Sequence, residues 1–142
     1  MFKENKVDKY YLAITKNKPR KSEERLVHWL RKNEKINKST HFSRKSENSK
    51  KAILHYKLIK QLEKYSVLEI KLETGRHHQI RCQLKAIGCP VRGDLKYGYE
   101  RSNKDGGIDL HAKKIIFNHP VSKISVTIDA PVRESNIWKA TK

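Results

Sequence analysis

The chain is short of cysteine, of acidic residues and of long apolar runs, and each shortage removes a class of protein. Its only cysteines, Cys82 and Cys89, stand too far apart for a zinc knuckle, and two thiols cannot build a disulfide framework, so both are expected reduced. No apolar stretch approaches the roughly 20 residues a spanning helix needs. No basic amphipathic helix stands out either, which leaves a membrane surface without an anchor. The start, Met1-Phe2-Lys3-Glu4-Asn5-Lys6, has neither the apolar centre of a secretory signal nor the pattern of a transit peptide, so a cytoplasmic location is expected.

Basic charge is abundant. Lys and Arg number 33 against 15 Asp and Glu, a formal net charge of +18. A field of one sign that strong attracts polyanions before any specific contact forms, and nucleic acid is the expected partner. The first 64 residues carry net +12 and the remainder net +6. Much of the excess falls in residues 31–51, a run of Lys, Asn, Ser and Arg in which only Ile36 and Phe42 have much surface to bury. That composition predicts a mobile basic loop, with Lys35, Lys38, Arg44 and Lys45 available to RNA.

At 142 residues the chain is the length of one domain with a single core, expected over residues 1–142. Strand patterns dominate it, and no internal repeat is visible. Tyr10 to Ile14 and Leu26 to Leu30 are short aromatic and β-branched runs. Ala52–Leu62 and Tyr65–Glu73 flank Glu63-Lys64, and Leu68, Ile70 and Leu72 alternate with Glu69, Lys71 and Glu73, which predicts a hairpin with one buried face. A second hairpin is predicted from Leu110–Phe117 through Asn118-His119-Pro120 into Ile124, Val126 and Ile128. Between them, Ile80, Leu84 and Ile87 recur at helical spacing and Gly88 supplies a stop, so a helix is predicted over His78–Ile87. The class is α+β, a largely antiparallel or mixed sheet with few helices.

Thr74-Gly75-Arg76-His77-His78-Gln79-Ile80-Arg81 joins a strand to that helix through a sharp glycine turn, so free backbone N–H groups and several donors converge. Such a junction suits a phosphate or a carboxylate. His77, Arg81 and Lys85 form a basic stripe apart from the apolar one. A metal could draw on His78 and Cys82, one helical turn apart, with His111 or His119. Two ligands without a second pair of fitting spacing are weak grounds, and neither metal nor cofactor is expected.

Thr-Gly-Arg-x-His-Gln-Ile-Arg, then Gly88-Cys89-Pro90-Val91-x-Gly93-Asp94-x-x-Tyr97-Gly98, then Leu110-His111-Ala112 and Phe117-x-His119-Pro120, resembles the RluA-type RNA pseudouridine synthases in order and register. Lys9-Tyr10-Tyr11-Leu12-Ala13 is similar to that family's Lys-x-Tyr-x-Ala strand. The likeness runs from about Val7 to Trp138.

The resemblance implies a pseudouridine synthase-like fold and isomerisation of uridine to pseudouridine in ribosomal or transfer RNA. In that reaction the N1 glycosidic bond is cut, the uracil turns in the site, and C5 is joined to the sugar, without a cofactor. It implies that Arg81 is the partner of a nucleophilic aspartate and that Tyr11 stacks on a flipped-out base. Arg76, His78, Gln79 and Lys85 would meet RNA. The family's nucleophile lies in a His-Arg-Leu-Asp-Arg-like loop some tens of residues before the Lys-x-Tyr strand, yet only eight residues precede Lys9 here. None of Asp8, Asp94, Asp105, Asp109 and Asp129 follows Arg-Leu. Asp94 corresponds to a loop position beside the site, with a structural role expected.

Met1 to Val7 resembles the tail of the helix that precedes the strand. The expectation is therefore a fold incomplete at its N-terminus, inactive alone, with a separate chain as one source of the missing segment. A non-catalytic RNA-binding protein derived from the same fold is the alternative.

Overall fold

The computed structural model describes residues 7–118, 125–129 and 138. Seven strands form one sheet: β1 (Val7–Thr15), β2 (Glu23–Asn33), β3 (Lys38–Phe42), β4 (Lys50–Gln61), β5 (Ser66–Leu72), β6 (Leu110–Asn118) and β7 (Ser125–Asp129). Their order across the sheet is β3-β2-β4-β5-β1-β6-β7, and every ladder among the described residues is antiparallel. Helix α1 (Gln79–Ala86) follows β5, and a 3₁₀ turn covers Leu95–Tyr97.

Both predicted hairpins form, as β4–β5 and β6–β7; the turn of the second lies partly outside the described residues. Residues 31–51 differ from the expected loop. Strand β2 runs on to Asn33, β3 occupies Lys38–Phe42 and β4 begins at Lys50, so only 34–37 and 43–49 are connections. The composition hid β3 because its inward side chain is the small Ser39, 3% exposed, which buries without an apolar signature. Positive φ at Asn37 (49°) and Asn48 (58°) turns the chain at either side.

Alternation sorts the sheet into two faces. On one, Ala13, Leu26, Leu54, Tyr56, Leu68 and Ile70 meet Ile80 and Leu84 of α1 and Val91, with Tyr11, Leu72 and Leu110 packed half-buried against them. Leu54, Leu68 and Ile70 are fully enclosed, and each contributes about 1.5–3 kcal/mol over its exposed state. On the other face, Leu12 and Ile14 pack with Trp138 and Tyr65. Lys71 and Lys114 lie over the Tyr10 ring at 5.8 and 5.6 Å. The β1–β6 ladder slips between Tyr10 and Tyr11, where Lys113 is the extra residue on β6. Alternation within β1 survives this slip, so Tyr11 keeps to the face that carries α1.

From α1 the chain turns back to β1 through Val91, which bridges Thr15, and through backbone bonds from Arg92 N–H to Ile14 O (2.8 Å) and Ile14 N–H to Asp109 O (3.0 Å). Gly93, at φ +88°, is the hinge point of this return, and a Cβ there would meet the Asn103 amide nitrogen at 2.5 Å. Gly93→Ala combines that overlap with a left-handed backbone, and a loss of about 1–2 kcal/mol is expected in urea unfolding. Gly75→Ala, with open space around its Cβ position, should cost less in the same measurement.

Candidate active site

The junction between β5 and α1 is fixed by side chains bonding to strand backbone. Thr74 Oγ1 accepts the Ile53 N–H (2.9 Å) and donates to Gln79 Oε1 (2.8 Å), which also accepts the Arg76 N–H (2.9 Å). Gln79 Nε2 donates to Ile53 O (3.0 Å) and to Gln83 Oε1 (2.9 Å). Gln83 Nε2 in turn reaches Ala52 O (3.2 Å) and His28 Nδ1 (2.8 Å). Every donor and acceptor of the Gln79 amide is thus occupied, and the residue is 3% exposed. It cannot contact RNA as the motif suggested; it clamps α1 to β4.

Two residues along, Arg81 forms a two-pronged pair with Asp94: Nε donates to Oδ2 and Nη2 to Oδ1, both at 2.8 Å. The Asp94 side chain is 1% exposed and that of Arg81 20%. The hydrogen bond to Asp94 raises the Arg81 pKa above its already high value. Arg81 also lies over the Tyr97 ring at 5.0 Å. Among the described residues Nη1 takes no protein hydrogen bond, so one edge of the guanidinium is spent on Asp94 and the other is open. A buried carboxylate already gripped through both oxygens is poorly placed to attack a substrate.

Tyr97 joins the parts. Its hydroxyl accepts the Ser39 N–H (2.8 Å) and is 2.8 Å from His78 Nδ1, while Lys38 lies over its ring at 5.7 Å. His78 occupies a left-handed conformation (φ 51°) at the cap of α1. Burial, with Arg81, His77 and Lys96 adding to it, pushes the His78 pKa down to about 4. The ring is neutral at pH 7, so His78 joins Tyr97 as a hydrogen-bonding group rather than as a cation. His77 stacks on His78 at 3.8 Å and is itself lowered, chiefly by burial. Its Nδ1 is 3.0 Å from Ser39 Oγ and its Nε2 2.8 Å from Asn37 Oδ1. The basic stripe read along the helix therefore faces β3 and the 3₁₀ turn at two of its three positions.

Lys85 is exposed, and Arg76 is exposed with its Nε donating to Lys51 O (2.8 Å). Lys35 and Lys38 stand at one end of β3, and Arg44 and Lys45, both exposed, at the other. They form two groups separated by about 17 Å of strand rather than one patch. Lys96, whose Nζ donates to Ile36 O and Asn37 O, fastens the β2–β3 turn beside His77 and was not singled out in the sequence. His78 and Cys82 turn away from each other's role as metal ligands. Cys82 donates to Ser39 O (3.5 Å), and burial pushes its thiol up to about 11, far from the thiolate a metal takes. His119 lies outside the described residues. Among those described, no three His, Cys, Asp or Glu side chains are grouped to hold a metal, and no helix is long and apolar enough to cross a membrane.

An antiparallel α+β domain with a helix clamped to its sheet is a fold of the pseudouridine synthase class. The sequence pattern of the RNA pseudouridylate synthase family matches residues 1–86, and the chain belongs to that family. The chain is 36% identical over 132 residues to ribosomal large subunit pseudouridine synthase C of Rickettsia bellii, covering 91% of this chain and 43% of the relative. It is 37% identical over 89 residues to an uncharacterized RNA pseudouridine synthase, YlyB, of Bacillus subtilis, covering 63% and 29%. The solved structure of human RNA pseudouridylate synthase domain containing 1 superposes with a TM-score of 0.76 at 27% identity, covering 99% of this chain and 60% of that one. The chain thus spans less than half the length of these two sequence relatives.

Two outcomes are expected. Arg81→Ala leaves Asp94 buried without its partner and should cost about 3–5 kcal/mol in urea unfolding, whereas Arg81→Lys keeps a charge there and should cost less. Because the folded pKa of His78 lies below its unfolded value of 6.5, the unfolded chain takes up more protons between about pH 6.5 and 4. Stability should fall as pH drops through that window, and His28, His41 and His77, all lowered, act in the same direction. Urea midpoints at pH 7 and 5 check this, and His78→Gln should flatten the difference.

Proposed function

We propose that this chain provides the base-holding strand and the orienting arginine of an RNA uridine-isomerising site, with the nucleophilic carboxylate supplied from outside these 142 residues. The observation that carries the reading is the divided use of Arg81. Asp94 fixes the guanidinium through Nε and Nη2. That leaves a preset, charged edge to hold a second carboxylate ionised, which is what a nucleophile at neutral pH requires. Asp94 and Asp109 are each 1–3% exposed and committed to Arg81 and Arg92, so neither serves as that nucleophile.

Tyr11 lies half-buried against the core cluster to which α1 contributes Ile80 and Leu84, the residues on either side of Arg81 in the helix. A uracil freed from its sugar must turn while remaining bound, and an aromatic face holds it without fixing its rotation as hydrogen bonds would. Leu110, which pairs with Ala13 across β1–β6, supplies an apolar neighbour. The ribosomal or transfer RNA substrate and the cytoplasmic setting belong to the same proposal, as do Arg76, His78, Lys85, Lys35, Lys38, Arg44 and Lys45 as RNA contacts.

Purified chain incubated with uridine-labelled RNA should form no pseudouridine. Addition of a segment carrying the His-Arg-Leu-Asp loop of a relative should restore product, measured by nucleoside chromatography. In that complex Arg81→Lys should lose at least about tenfold in rate with the fold intact, because an ammonium cannot bridge two carboxylates in a plane. Tyr11→Phe should retain much of the activity and Tyr11→Ala little. Product from the chain alone, lost in Asp94→Asn, would overturn the assignment. RNA binding that no added segment converts to catalysis would favour the non-catalytic alternative.

A further inference from the structure

Two residues before Asp94, the same turn sends a second arginine the other way. Arg92 pairs with Asp109, which is 4% exposed in its side chain, and its guanidinium lies over the Tyr65 ring at 5.2 Å. Tyr99 donates to the Tyr65 hydroxyl at 3.5 Å. That bond first, with the nearby Arg92 and Arg101 guanidiniums adding to it, pulls the Tyr65 pKa below its ordinary value. Arg92, Tyr99, Arg101, Ser102, Asn103 and Lys104 line a cavity of 300 Å³ at this point. The loop that carries four of them is shaped from within: Asn103 Nδ2 donates to Gly107 O (3.0 Å), and the Gly107 N–H reaches Asp105 Oδ1 (2.8 Å).

Charge in this cavity is unbalanced. Asp109 offsets Arg92, and Glu100, next in sequence to Arg101, is engaged by Lys16 at 3.1 Å. Arg101 and Lys104 remain, both exposed, with no carboxylate of the lining to answer them. Two guanidiniums and an ammonium lining one cavity beside the Tyr99 phenol place donors where an anionic oxygen would be bound more strongly than a neutral one. A phosphate group matches the sign of these charges, and Ser102 adds a hydroxyl.

We propose that Arg92, Arg101, Ser102 and Lys104, backed by Tyr65 and Tyr99, form a phosphodiester-binding pocket that grips the RNA backbone on the far side of the Gly93 turn from Arg81. This rests on the reading of the chain as part of an RNA-modifying site. The pocket binds without regard to sequence, since it meets only phosphate. Its effect on the site is mechanical: Arg92 and Asp94 are separated by one residue, so a strand held by the first is registered against the arginine held by the second.

The experiment is the salt dependence of RNA affinity, read by anisotropy of a labelled single-stranded oligouridine on the full chain. Arg101→Gln with Lys104→Gln removes two exposed charges and should make the log–log slope shallower by about 1.4, at about 0.7 per contact. Lys18→Gln with Lys64→Gln, equal in charge and also exposed, should leave the slope within about 0.3 of wild type. An unchanged slope in the first variant, beside a full slope in wild type, would overturn the pocket alone. A wild-type chain that binds no RNA would overturn both the pocket and the reading beneath it. Phosphorus resonance titration of inorganic phosphate separates the two ligand sources: saturation lost in the Arg101/Lys104 variant while its RNA slope stays wild type would make this a small-anion site and overturn the backbone assignment.

Discussion

Helix α1 has eight residues, too few to persist by its own hydrogen bonds, and what holds it is the pair of buried amides at Gln79 and Gln83. Strand carbonyls at Ile53 and Ala52 would ordinarily look to a neighbouring strand or water. Here they accept from glutamine side chains that belong to the helix. Because Gln79 also bonds to Gln83, and Gln83 to His28, the helix is tied to β4 and β2 at fixed rotation. Rotation matters more than position, since it decides where Arg81 points. An apolar contact tolerates tens of degrees of roll; a chain of directed hydrogen bonds does not. The apolar contacts of Ile80 and Leu84 bring the helix down, and the amides set its angle.

Most of the architecture was legible because its elements announce themselves by period. Leu68, Ile70 and Leu72 alternate against charged neighbours, and Ile80, Leu84 and Ile87 repeat at helical spacing, so β5 and α1 could be placed within a residue or two. Strand β3 could not. Its one buried side chain is Ser39, satisfied by His77, while Tyr97 accepts the backbone N–H of the same residue. A strand held by polar partners from distant sequence leaves no mark in its own composition. Gln79 was misassigned for the converse reason: a polar residue inside a basic motif reads as exposed until its partners, Ile53 and Gln83, are known.

The site was legible as an inventory of residues and less so as a circuit. Arg81 and Asp94 were both noted, yet their mutual bond follows only from the turn at Gly93. The companion pair Arg92–Asp109 had no signal at all, because Arg92 fills a variable position of the motif. Histidine chemistry was likewise hidden. His77 and His78 sit among Arg81, Lys32 and Lys96, whose fields and the surrounding burial keep both rings neutral. Two adjacent histidines in a basic motif therefore act as hydrogen-bonding pieces of the scaffold rather than as added positive charge.

The placement of β1 bears on how the chain is made. This strand is near the middle of the sheet, yet its ladder partners are Ser66–Leu72 on one side and Leu110–Asn118 on the other. During synthesis, Tyr10 to Ile14 emerge before either of these partners, and at about 5–20 residues per second the second partner follows only after roughly 5–19 s. For that interval at least one edge of an apolar strand is available to any other strand in reach. The second edge of β1 therefore closes only once β6 has emerged, and the ordering of its contacts makes the nascent chain a natural client for whatever shields exposed strands at the ribosome.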